Sequence, residues 1–310
     1  MRVITSAADV ARLLDAERSA GRTVGLVPTM GALHHGHRSL VERAVDECDV
    51  VTVSIFVNPL QFGDPSDLER YPRSLDADTA IAAAAGASVV FAPSVSDMYP
   101  GFPAPVATSV HVAGLGERWE GASRPGHFAG VATVVAKLFS LAGRCRAYFG
   151  EKDFQQLAVV RRMVVDLSMP VEVVPCPTVR EPDGLAASSR NVRLSATGRI
   201  AARCLHEALA AGCRLVSSGV RDSAAVGHAM ADMVAAEPAA VLDYAVAVDA
   251  DGLQVPDELL GDVRLLVAAT VDGVRLIDNT GCSVPPNRPP GPRRAPRPSE
   301  QATMERGALI

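Results

Sequence analysis

The residues best suited to chemistry in this sequence are two histidines, His34 and His37, in the stretch PTMGALHHGH at positions 28–37. Because they are three residues apart, a helical turn would project both imidazole rings from one face, where they could donate hydrogen bonds to a polyphosphate. Gly31 and Gly36 leave the backbone bare where it must come close to a flat or anionic ligand. A His-x-x-His pair could also be half of a metal site, but no Cys or carboxylate stands nearby at ligand spacing.

The segments on either side of this stretch predict how it is held. Residues 24–27 form a short apolar run and residues 39–45 an amphipathic one, so the expected order is strand, turn, helix. Open α/β sheets bind ligands at the carboxyl ends of their strands. The first helical turn adds unpaired N–H groups and a positive dipole end, which suit a phosphate. The stretch is therefore a candidate phosphate site, with a purely structural turn as the alternative.

Polar residues also follow three other predicted strands. Asn58 and Gln61 follow residues 49–57, Gly150 to Gln156 follow residues 146–149, and Ser188, Ser189 and Arg190 lie in a loop beyond residues 171–179. The carboxamides of Asn58 and Gln61 can donate and accept, which suits a substrate with hydroxyls and a carboxylate. Lys152 and the Ser-Ser-Arg group suit phosphate oxygens. The structural alternatives are a capped turn at Asn58, a helix cap at Asp153 and an ordinary loop before a helix for the Ser-Ser-Arg group.

The composition predicts a soluble globular protein that is long enough for two domains. The chain has 310 residues, of which 48% are hydrophobic and 21% charged, and its formal net charge of −5 gives no general reason to bind nucleic acid or a membrane. Its apolar runs are interrupted well before the ~18 residues that a membrane span needs. The six cysteines include no Cys-x-x-Cys pair and are typical of reduced thiols, so we expect a cytoplasmic protein.

The chain divides into three parts by pattern. Residues 1–178 predict an α/β fold, a Rossmann-like doubly wound parallel sheet that holds the polar strand ends. Residues 179–281 combine alanine-rich helices with alternating strands and predict a smaller α+β domain, whose last two strands turn at Asp272-Gly273. Residues 282–310 are rich in Pro and Arg and predict a disordered tail.

Taken in order, these segments closely resemble the pantoate–β-alanine ligase (pantothenate synthetase) family. The resemblance spans about residues 1–281 and includes VPTMGALHHGH, SIFVNPLQF, YPR, EGASRPGHF, FGEKDFQQL and DGLAASSRN. The two-histidine motif also resembles the wider adenylate-forming nucleotidylyltransferase superfamily, and Ser188-Ser189-Arg190 is similar to the mobile second phosphate loop of that superfamily.

The resemblance implies a reaction in two steps. ATP and pantoate would give pantoyl adenylate and pyrophosphate, and β-alanine would then attack the acyl carbon to release AMP and pantothenate. The mixed anhydride turns a poor electrophile into a reactive one, while in-line transfer at the α-phosphorus needs mainly positioning and charge stabilisation. The resemblance also implies Mg²⁺ as the ion that bridges the phosphates, and a homodimer.

The family pattern assigns roles to residues of this chain. His37, as proton donor to the departing pyrophosphate, would act in catalysis with His34, Lys152 and Arg190. The ATP site would comprise Met30, Gly31, Ala32, Leu33, His34, His35, Gly36, His37, Gly150, Glu151, Lys152, Asp153, Val179, Ala187, Ser188, Ser189 and Arg190. Gln61 and Gln156 would hold pantoate, Asn58 and Gln61 would lie near β-alanine, and Asp76 or Asp78 could help to bind Mg²⁺.

Three positions depart from the family pattern, and two other functions compete. His35 stands where an acidic residue is common and is expected to face solvent, Ala187 replaces a larger apolar residue, and the tail after Cys282 lies outside the pattern. The chain could instead be another nucleotidylyltransferase, but that would not explain the pair of Gln61 and Gln156. It could also be a nucleotide-binding protein without catalysis, but the four expected catalytic residues are all present.

Overall fold

A computed structural model describes residues 1–63 and 65–285 of the chain. Within these residues the N-terminal part is a parallel sheet covered by helices, and the C-terminal part is a three-stranded antiparallel sheet with three helices. The predicted fold class, a Rossmann-like doubly wound sheet followed by a smaller α+β domain, is confirmed. No helix in the described ranges combines the length and the apolar character that crossing a membrane requires.

The N-terminal sheet has six parallel strands in the described part of the chain. They are β1 (Arg2–Ile4), β2 (Val24–Thr29), β3 (Val50–Ile55), β4 (Val89–Phe91), β5 (Cys145–Gly150) and β6 (Val171–Cys176). Their spatial order is β1-β4-β3-β2-β5-β6, so the chain runs from β2 outwards to one side and then returns to place β5 on the other side of β2. The carboxyl ends of β2 and β5 therefore form the switch point at which open sheets of this kind bind ligands.

The central strands are mostly apolar because helices cover both faces of the sheet. Leu26 packs into one buried cluster and Val27 into another, as alternate residues of a strand must when both faces are covered. The helices of this domain are α1 (Ala7–Ser19), α2 (His35–Glu47), α3 (Pro65–Arg70), α4 (Leu75–Ala84), α5 (Val95–Met98), α6 (Glu120–Ser123), α7 (His127–Ala142) and α8 (Phe154–Asp166). Ser6 caps α1, since its hydroxyl accepts a hydrogen bond from the Asp9 amide.

The C-terminal domain packs its helices on one face of the antiparallel sheet. Its elements are α9 (Ala196–Ala201), α10 (Arg203–Ser217), α11 (Ser223–Ala235), β7 (Ala240–Asp249), β8 (Asp262–Val271) and β9 (Val274–Ser283). The predicted turn at Asp272-Gly273 joins β8 to β9, and both residues have positive φ (53° and 70°), as a two-residue hairpin turn requires.

The two domains are joined by buried and half-buried polar contacts. Arg275 of β9 donates to both carboxylate oxygens of Glu120 (2.8 and 2.6 Å), and the Tyr244 hydroxyl donates to the same carboxylate at 2.9 Å. On the same side, the indole N–H of Trp119 donates to the Leu253 carbonyl at 3.0 Å. These contacts fix the C-terminal sheet against the segment that leads into α7.

Several element bounds differ from the sequence predictions. Strand β1 was not predicted, because three residues at a sheet edge carry little pattern of their own. Helix α2 begins at His35, four residues earlier than its amphipathic stretch, and β6 ends at Cys176 rather than at residue 179. The predicted start of the tail at residue 282 is too early, because Cys282 and Ser283 belong to β9 and Val284 is buried. Residues 286–310 of that predicted tail lie outside the described residues.

Candidate active site

Two neighbouring strands bring the predicted phosphate-binding residues together. β2 leads into residues 30–37 and β5 leads into residues 150–153, and the two strands pair directly through Gly25–Arg146 and Leu26–Ala147. On the other side of β2, β3 pairs with it as far as Thr29 and Ile55. Asn58 and Gln61 follow at the carboxyl end of β3. A cavity of about 200 Å³ opens over these strand ends, and its walls include His34, His37, Gln61, Lys152, Gln156 and Arg190.

The two histidines cap the N-terminus of α2. Nδ1 of His34, the N-cap residue, accepts a hydrogen bond from the Gly36 amide at 3.1 Å, and Nδ1 of His37 accepts from the His34 amide at 3.4 Å. Because both Nδ1 atoms act as acceptors, both neutral rings carry their proton on Nε2. The rings lie side by side with centroids 4.1 Å apart. The predicted common face therefore exists, and it presents two Nε2–H donors.

Burial keeps both of these rings uncharged. It lowers the pKa of His37 to about 3, with the neighbouring His34 adding to the effect. It likewise lowers the pKa of His34 to about 4, followed by the charges of His35 and Lys152. Both rings are hence neutral hydrogen-bond donors near neutral pH. His35 is 45% exposed in its side chain, lies 3.6 Å from Glu181 and meets the edge of the His34 ring with centroids 5.9 Å apart. It is partly open to solvent, as expected, and does not line the cavity with the other two histidines.

Asp78 has a position that the sequence interpretation did not anticipate. Its carboxylate is buried under residues 30–33 and accepts hydrogen bonds from the Ala32 amide at 3.0 Å and the Leu33 amide at 2.7 Å. Asp76 is exposed on α4. Within the described ranges no group of three or more His, Cys, Asp or Glu side chains could hold a metal ion. The structure thus places Asp78 beneath the loop, where two backbone amides donate to its carboxylate.

The loop after β5 supplies a cation and is held by the C-terminal domain. Nζ of Lys152 lies 3.4 Å from Oδ1 of Asp153. Burial raises the pKa of Asp153, but the positive charges of Lys152 and Arg190 outweigh it and leave the pKa below its ordinary value. The side chain of Asn279 donates to the carbonyls of Glu151 (3.0 Å) and Lys152 (2.7 Å). Strand β9 therefore fixes the backbone that carries the lysine.

The Ser-Ser-Arg segment closes the cavity from the opposite side. Ser188 caps a short 3-10 helix, Ser189–Arg193, by accepting a hydrogen bond from the Arg190 amide at 3.2 Å. The Ala187 amide donates to the Val179 carbonyl at 2.9 Å, which brings both of these predicted ATP-site residues to the cavity wall. Ala187 is buried, and an added Cβ at Gly36 would lie 3.4 Å from its methyl group. A small residue at 187 thus fits closely against the start of α2.

Asn58 and Gln61 are coupled in one hydrogen-bonded unit. Asn58 donates to Oε1 of Gln61 and to the Gly130 carbonyl, each at 3.0 Å, and accepts from the Leu60 amide and from the Tyr99 hydroxyl. All four hydrogen-bonding positions of its carboxamide are thus used. The Nε2 donors of Gln61 have no partner among the described residues and line the cavity. Asn58 therefore positions Gln61, and Gln61 is the residue that can contact a substrate, which narrows the role that the sequence suggested for Asn58.

Two further residues of the site carried no role in the sequence analysis. Arg124 and His127 lie in the motif EGASRPGHF and line a second cavity of about 290 Å³ between the domains. The two cavities share Lys152, Asp153, Gln156, Ser188 and Arg190 as a common wall. The available signal in the sequence was an arginine, Arg124, three residues before a histidine, His127, at the start of an apolar helical stretch. No local pattern connects these two residues to the polar residues at the strand ends.

The chain matches one protein family over most of its length. The sequence profile of the family described as pantoate-beta-alanine ligase matches residues 2–281. The chain belongs to the pantoate–β-alanine ligase family.

Relatives of known name agree with this family assignment. A pantothenate synthetase from Rubrobacter xylanophilus is 54% identical over 283 residues, which are 89% of this chain and 97% of that protein. A pantothenate synthetase from Moorella thermoacetica is 50% identical and covers 90% of this chain and 98% of its own. The match to pantoate–β-alanine ligases thus extends over both domains.

Solved structures of pantoate–β-alanine ligases share the fold. Pantothenate synthetase from Thermus thermophilus superposes with a TM-score of 0.83 at 48% identity, covering 90% of this chain and 99% of that chain. The ligase from Francisella tularensis superposes with a TM-score of 0.73 at 33% identity, covering 90% and 97%, and its structure is a complex with β-γ ATP and β-alanine. The predicted membership of the pantoate–β-alanine ligase family is confirmed.

Proposed function

We propose that this chain is the ATP-dependent ligase that condenses pantoate with β-alanine through a pantoyl-adenylate intermediate. The observation that carries this function is the juxtaposition, in one cavity, of a phosphate-binding group and a pair of carboxamides. His34, His37 and Lys152 form the first, and Gln61 and Gln156 form the second. A nucleotidylyltransferase that only moves AMP to a phosphate acceptor needs the first group but has no use for the second.

The phosphate-binding group acts on ATP in the first step. The Nε2–H donors of His34 and His37 point from the N-terminus of α2, where the helix dipole also favours negative charge. Lys152 and Arg190 add positive charge from the facing loops. These groups stabilise the charge that develops on the pyrophosphate as the pantoate carboxylate attacks the α-phosphorus. The neutral ring of His37 acts as a hydrogen-bond donor. The approach of phosphate charge raises the pKa of His37, so the ring can take up a proton from water and pass it to the departing pyrophosphate.

The two glutamines hold the acyl substrate at the point of attack. Gln61 offers its two Nε2 donors, since Asn58 already fixes its Oε1. Gln156, in the first turn of α8, lies on the wall that both cavities share. Carboxamides at these places suit the hydroxyl and carboxylate oxygens of pantoate. Because the two glutamines hold pantoate beside ATP, the two substrates react within a single complex and need not meet in solution.

Mg²⁺ belongs to this proposal as part of the substrate. The described residues provide no cluster of ligands for a resident ion. We therefore expect the ion to arrive on the phosphates of ATP, and we assign no protein ligand to it. A homodimer and a cytoplasmic location are likewise part of the proposal, and they rest on the resemblance to the family and on the cysteine usage of the sequence.

The experiment that tests the function is pantoate-dependent exchange of labelled pyrophosphate into ATP in the presence of Mg²⁺ and the absence of β-alanine. We expect exchange only when pantoate is present, because adenylation is reversible until the amine arrives. Addition of β-alanine should then produce AMP and pantothenate in equal amounts. Folded, ATP-binding protein that shows no exchange would exclude the ligase and favour a binding role. Exchange with a phosphate acceptor in place of pantoate would favour another nucleotidylyltransferase.

A further inference from the structure

Two successive residues of β9 contact two different loops of the candidate active site. The side chain of Asn279 donates to the carbonyls of residues 151 and 152, and so holds the loop that carries Lys152. Asp278 projects from the opposite face of the strand, as the neighbouring residue of a strand must. Its two carboxylate oxygens accept hydrogen bonds from Nη1 and Nη2 of Arg180 at 2.7 and 3.1 Å. Arg180 belongs to the segment that runs from β6 to the Ser-Ser-Arg group, so β9 contacts both segments that bring positive charge to the cavity.

The pair of Asp278 and Arg180 has the geometry of a rigid contact. The side chain of Asp278 is only 2% exposed, and that of Arg180 is 24% exposed. Oδ1 of Asp278 also accepts from the Asn279 amide at 2.7 Å. Two hydrogen bonds to one carboxylate hold a planar guanidinium in one orientation, which a single bond would not do. Because a buried carboxylate without its cation is costly, the pair stays closed in the folded chain.

Arg180 connects this contact to the Ser-Ser-Arg group through a short hairpin. The first and last residues of the range 180–186 pair as an antiparallel bridge. Nη1 of Arg180 donates to the Gly184 carbonyl, near the tip of this hairpin, at 3.0 Å. At its far end, the side chain of Asn191 donates to the carbonyl of residue 186 at 3.0 Å, which ties the hairpin to the 3-10 helix that contains Arg190. The guanidinium thus orders the segment that precedes the phosphate-binding residues.

The place of Arg180 separates its role from the roles of the residues that would bind ATP. The described residues that line the two cavities do not include Arg180, whereas Ser188 and Arg190 line both. Asp278 lies in the wall of the cavity between the domains, but Arg180 occupies both of its oxygens. The guanidinium therefore acts on the hairpin and not on a phosphate.

We propose that Asp278 is a positioning residue for adenylation: through Arg180 it fixes the hairpin that presents the Ser-Ser-Arg group to the phosphates of ATP. This inference rests on the proposed ligase function. Because Asn279 holds the lysine loop from the same strand, β9 sets the separation between Lys152 and Arg190. Two cations stabilise one departing pyrophosphate only when both reach it in the same complex, so this separation controls the rate of the first step.

The role predicts which half-reaction depends on the pair. In adenylation, the pantoate carboxylate attacks the α-phosphorus, and pyrophosphate leaves with the negative charge that the Ser-Ser-Arg group must meet. In aminolysis, the bond between the acyl carbon and the oxygen of AMP breaks, and no pyrophosphate is present. A displaced hairpin should thus slow adenylation and spare aminolysis, whereas a general loosening of the fold should slow both.

The test compares Asp278→Asn and Arg180→Gln in the two half-reactions. Each variant should lower kcat of pantoate-dependent pyrophosphate exchange by about 100-fold, the effect that a displacement of about 1 Å outside the reacting groups can have. The KM for pantoate should change by less than about threefold, since Gln61 and Gln156 lie on other elements. Aminolysis of supplied pantoyl adenylate by β-alanine should likewise stay within about threefold of the unaltered chain.

Two further variants make the test decisive. In the double variant of Asp278→Asn with Arg180→Gln, exchange should be no slower than in the slower single variant, because both changes break the same contact. Arg180→Lys keeps the buried carboxylate paired, so it gives a result even if Asp278→Asn does not fold. An ammonium cannot hold two carboxylate oxygens and the Gly184 carbonyl in one plane, so we expect exchange to fall by about tenfold with aminolysis unchanged.

The matched control is Arg18→Gln, at the other end of the sheet. The side chain of Arg18 is 21% exposed, pairs with Asp15 and donates to the Ala142 carbonyl, just before the amino end of β5. The change therefore removes an equally buried arginine far from the carboxyl ends of the strands. It should lower the melting temperature and leave both half-reactions unchanged.

The inference fails if Arg180→Gln slows aminolysis as much as exchange, which would make the pair a general support of the fold. It fails equally if folded Asp278→Asn or Arg180→Lys keeps full exchange, or if the effects of the two single changes multiply in the double variant. Absence of exchange in the unaltered chain would overturn the ligase function itself, and that result needs no variant.

Discussion

Oδ1 of Asp78 lies 2.7 Å from the backbone nitrogen of Leu33, in the loop that leads to the two histidines. Oδ2 of the same carboxylate accepts from the Ala32 amide at 3.0 Å. The loop above it has the backbone that glycine favours, since Gly31 has φ +84°, and a Cβ at that position would come within 2.7 Å of Oδ2. A buried carboxylate on α4 therefore fixes the path of the chain between β2 and α2.

Replacement of Asp78 by Asn should loosen this loop. The amide keeps one acceptor and brings an NH₂ group against an amide donor, so one N–H of the loop loses its partner, at a cost of about 1–3 kcal/mol in unfolding free energy. We expect the KM for ATP in pyrophosphate exchange to rise about tenfold, with a smaller change in the KM for pantoate. Urea unfolding and exchange kinetics on the same preparation measure both effects.

The matched control for that change is Asp76→Asn, on the exposed side of the same helix. It should leave the KM for ATP and the Mg²⁺ requirement within twofold. An equal rise in the Mg²⁺ requirement in both variants would instead support the metal role that the sequence suggested for this pair.

Truncation of His37 should act on the first step. His37 lines the cavity, and in the proposed reaction its Nε2–H donates to the phosphates. Loss of one preorganised donor to a developing oxyanion lowers the rate by about 100-fold or more. We expect His37→Ala to reduce pantoate-dependent exchange by that factor while ATP still binds, as measured by calorimetry. His35→Ala, which removes the exposed neighbour, should change exchange less than twofold. Near-normal exchange in His37→Ala would rule out the assigned role.

Acid should destabilise the chain through its buried neutral histidines. The pKa of His127 falls to about 4 in the folded chain, while a histidine in the unfolded chain has a pKa near 6.5. Below pH 6.5 the unfolded state therefore binds more protons, and stability decreases as the pH falls from 6.5 towards 4. We expect His127→Gln to reduce the loss of unfolding free energy between pH 7 and pH 5 by about 1–2 kcal/mol. Identical pH slopes for the two chains in urea unfolding would contradict this.

The position of the C-terminal boundary can be tested by truncation. A chain that ends at Pro285 keeps β9, the buried Val284 and the hydrogen bond from the Val284 amide to the Gly261 carbonyl. It should retain full activity and stability. A chain that ends at Cys282 loses these contacts, and also the hydrogen bonds from the Ser283 hydroxyl to Asp262 and from Arg221 to the Pro285 carbonyl. It should be less stable by about 1–3 kcal/mol, from one apolar side chain and three hydrogen bonds near the surface. Thermal melts of the two truncated chains measure the difference, and equal melting temperatures would show that residues 283–285 contribute nothing.

Local patterns in the sequence were enough to predict the elements and most of the chemistry. Apolar β-branched runs before polar residues mark buried parallel strands whose ends carry function, and this pattern is local, so it is readable without the fold. The motif from Met30 to His37, Gln61, Lys152 and the Ser-Ser-Arg segment were all found in this way, and the structure brings them to one cavity. The hairpin turn at Asp272-Gly273 was predictable for the same reason.

Which of these residues meet, and in what state, depends on the tertiary structure. That β2 lies between β3 and β5 depends on pairing across more than a hundred residues, which no local pattern encodes. The neutral imidazoles of His34 and His37 follow from burial by distant segments, and the place of Asp78 beneath the loop follows from the docking of α4. Arg124 and His127 both hydrogen-bond the carbonyl of Gln61. These contacts join remote segments of the chain, so they are set by packing and not by a local pattern.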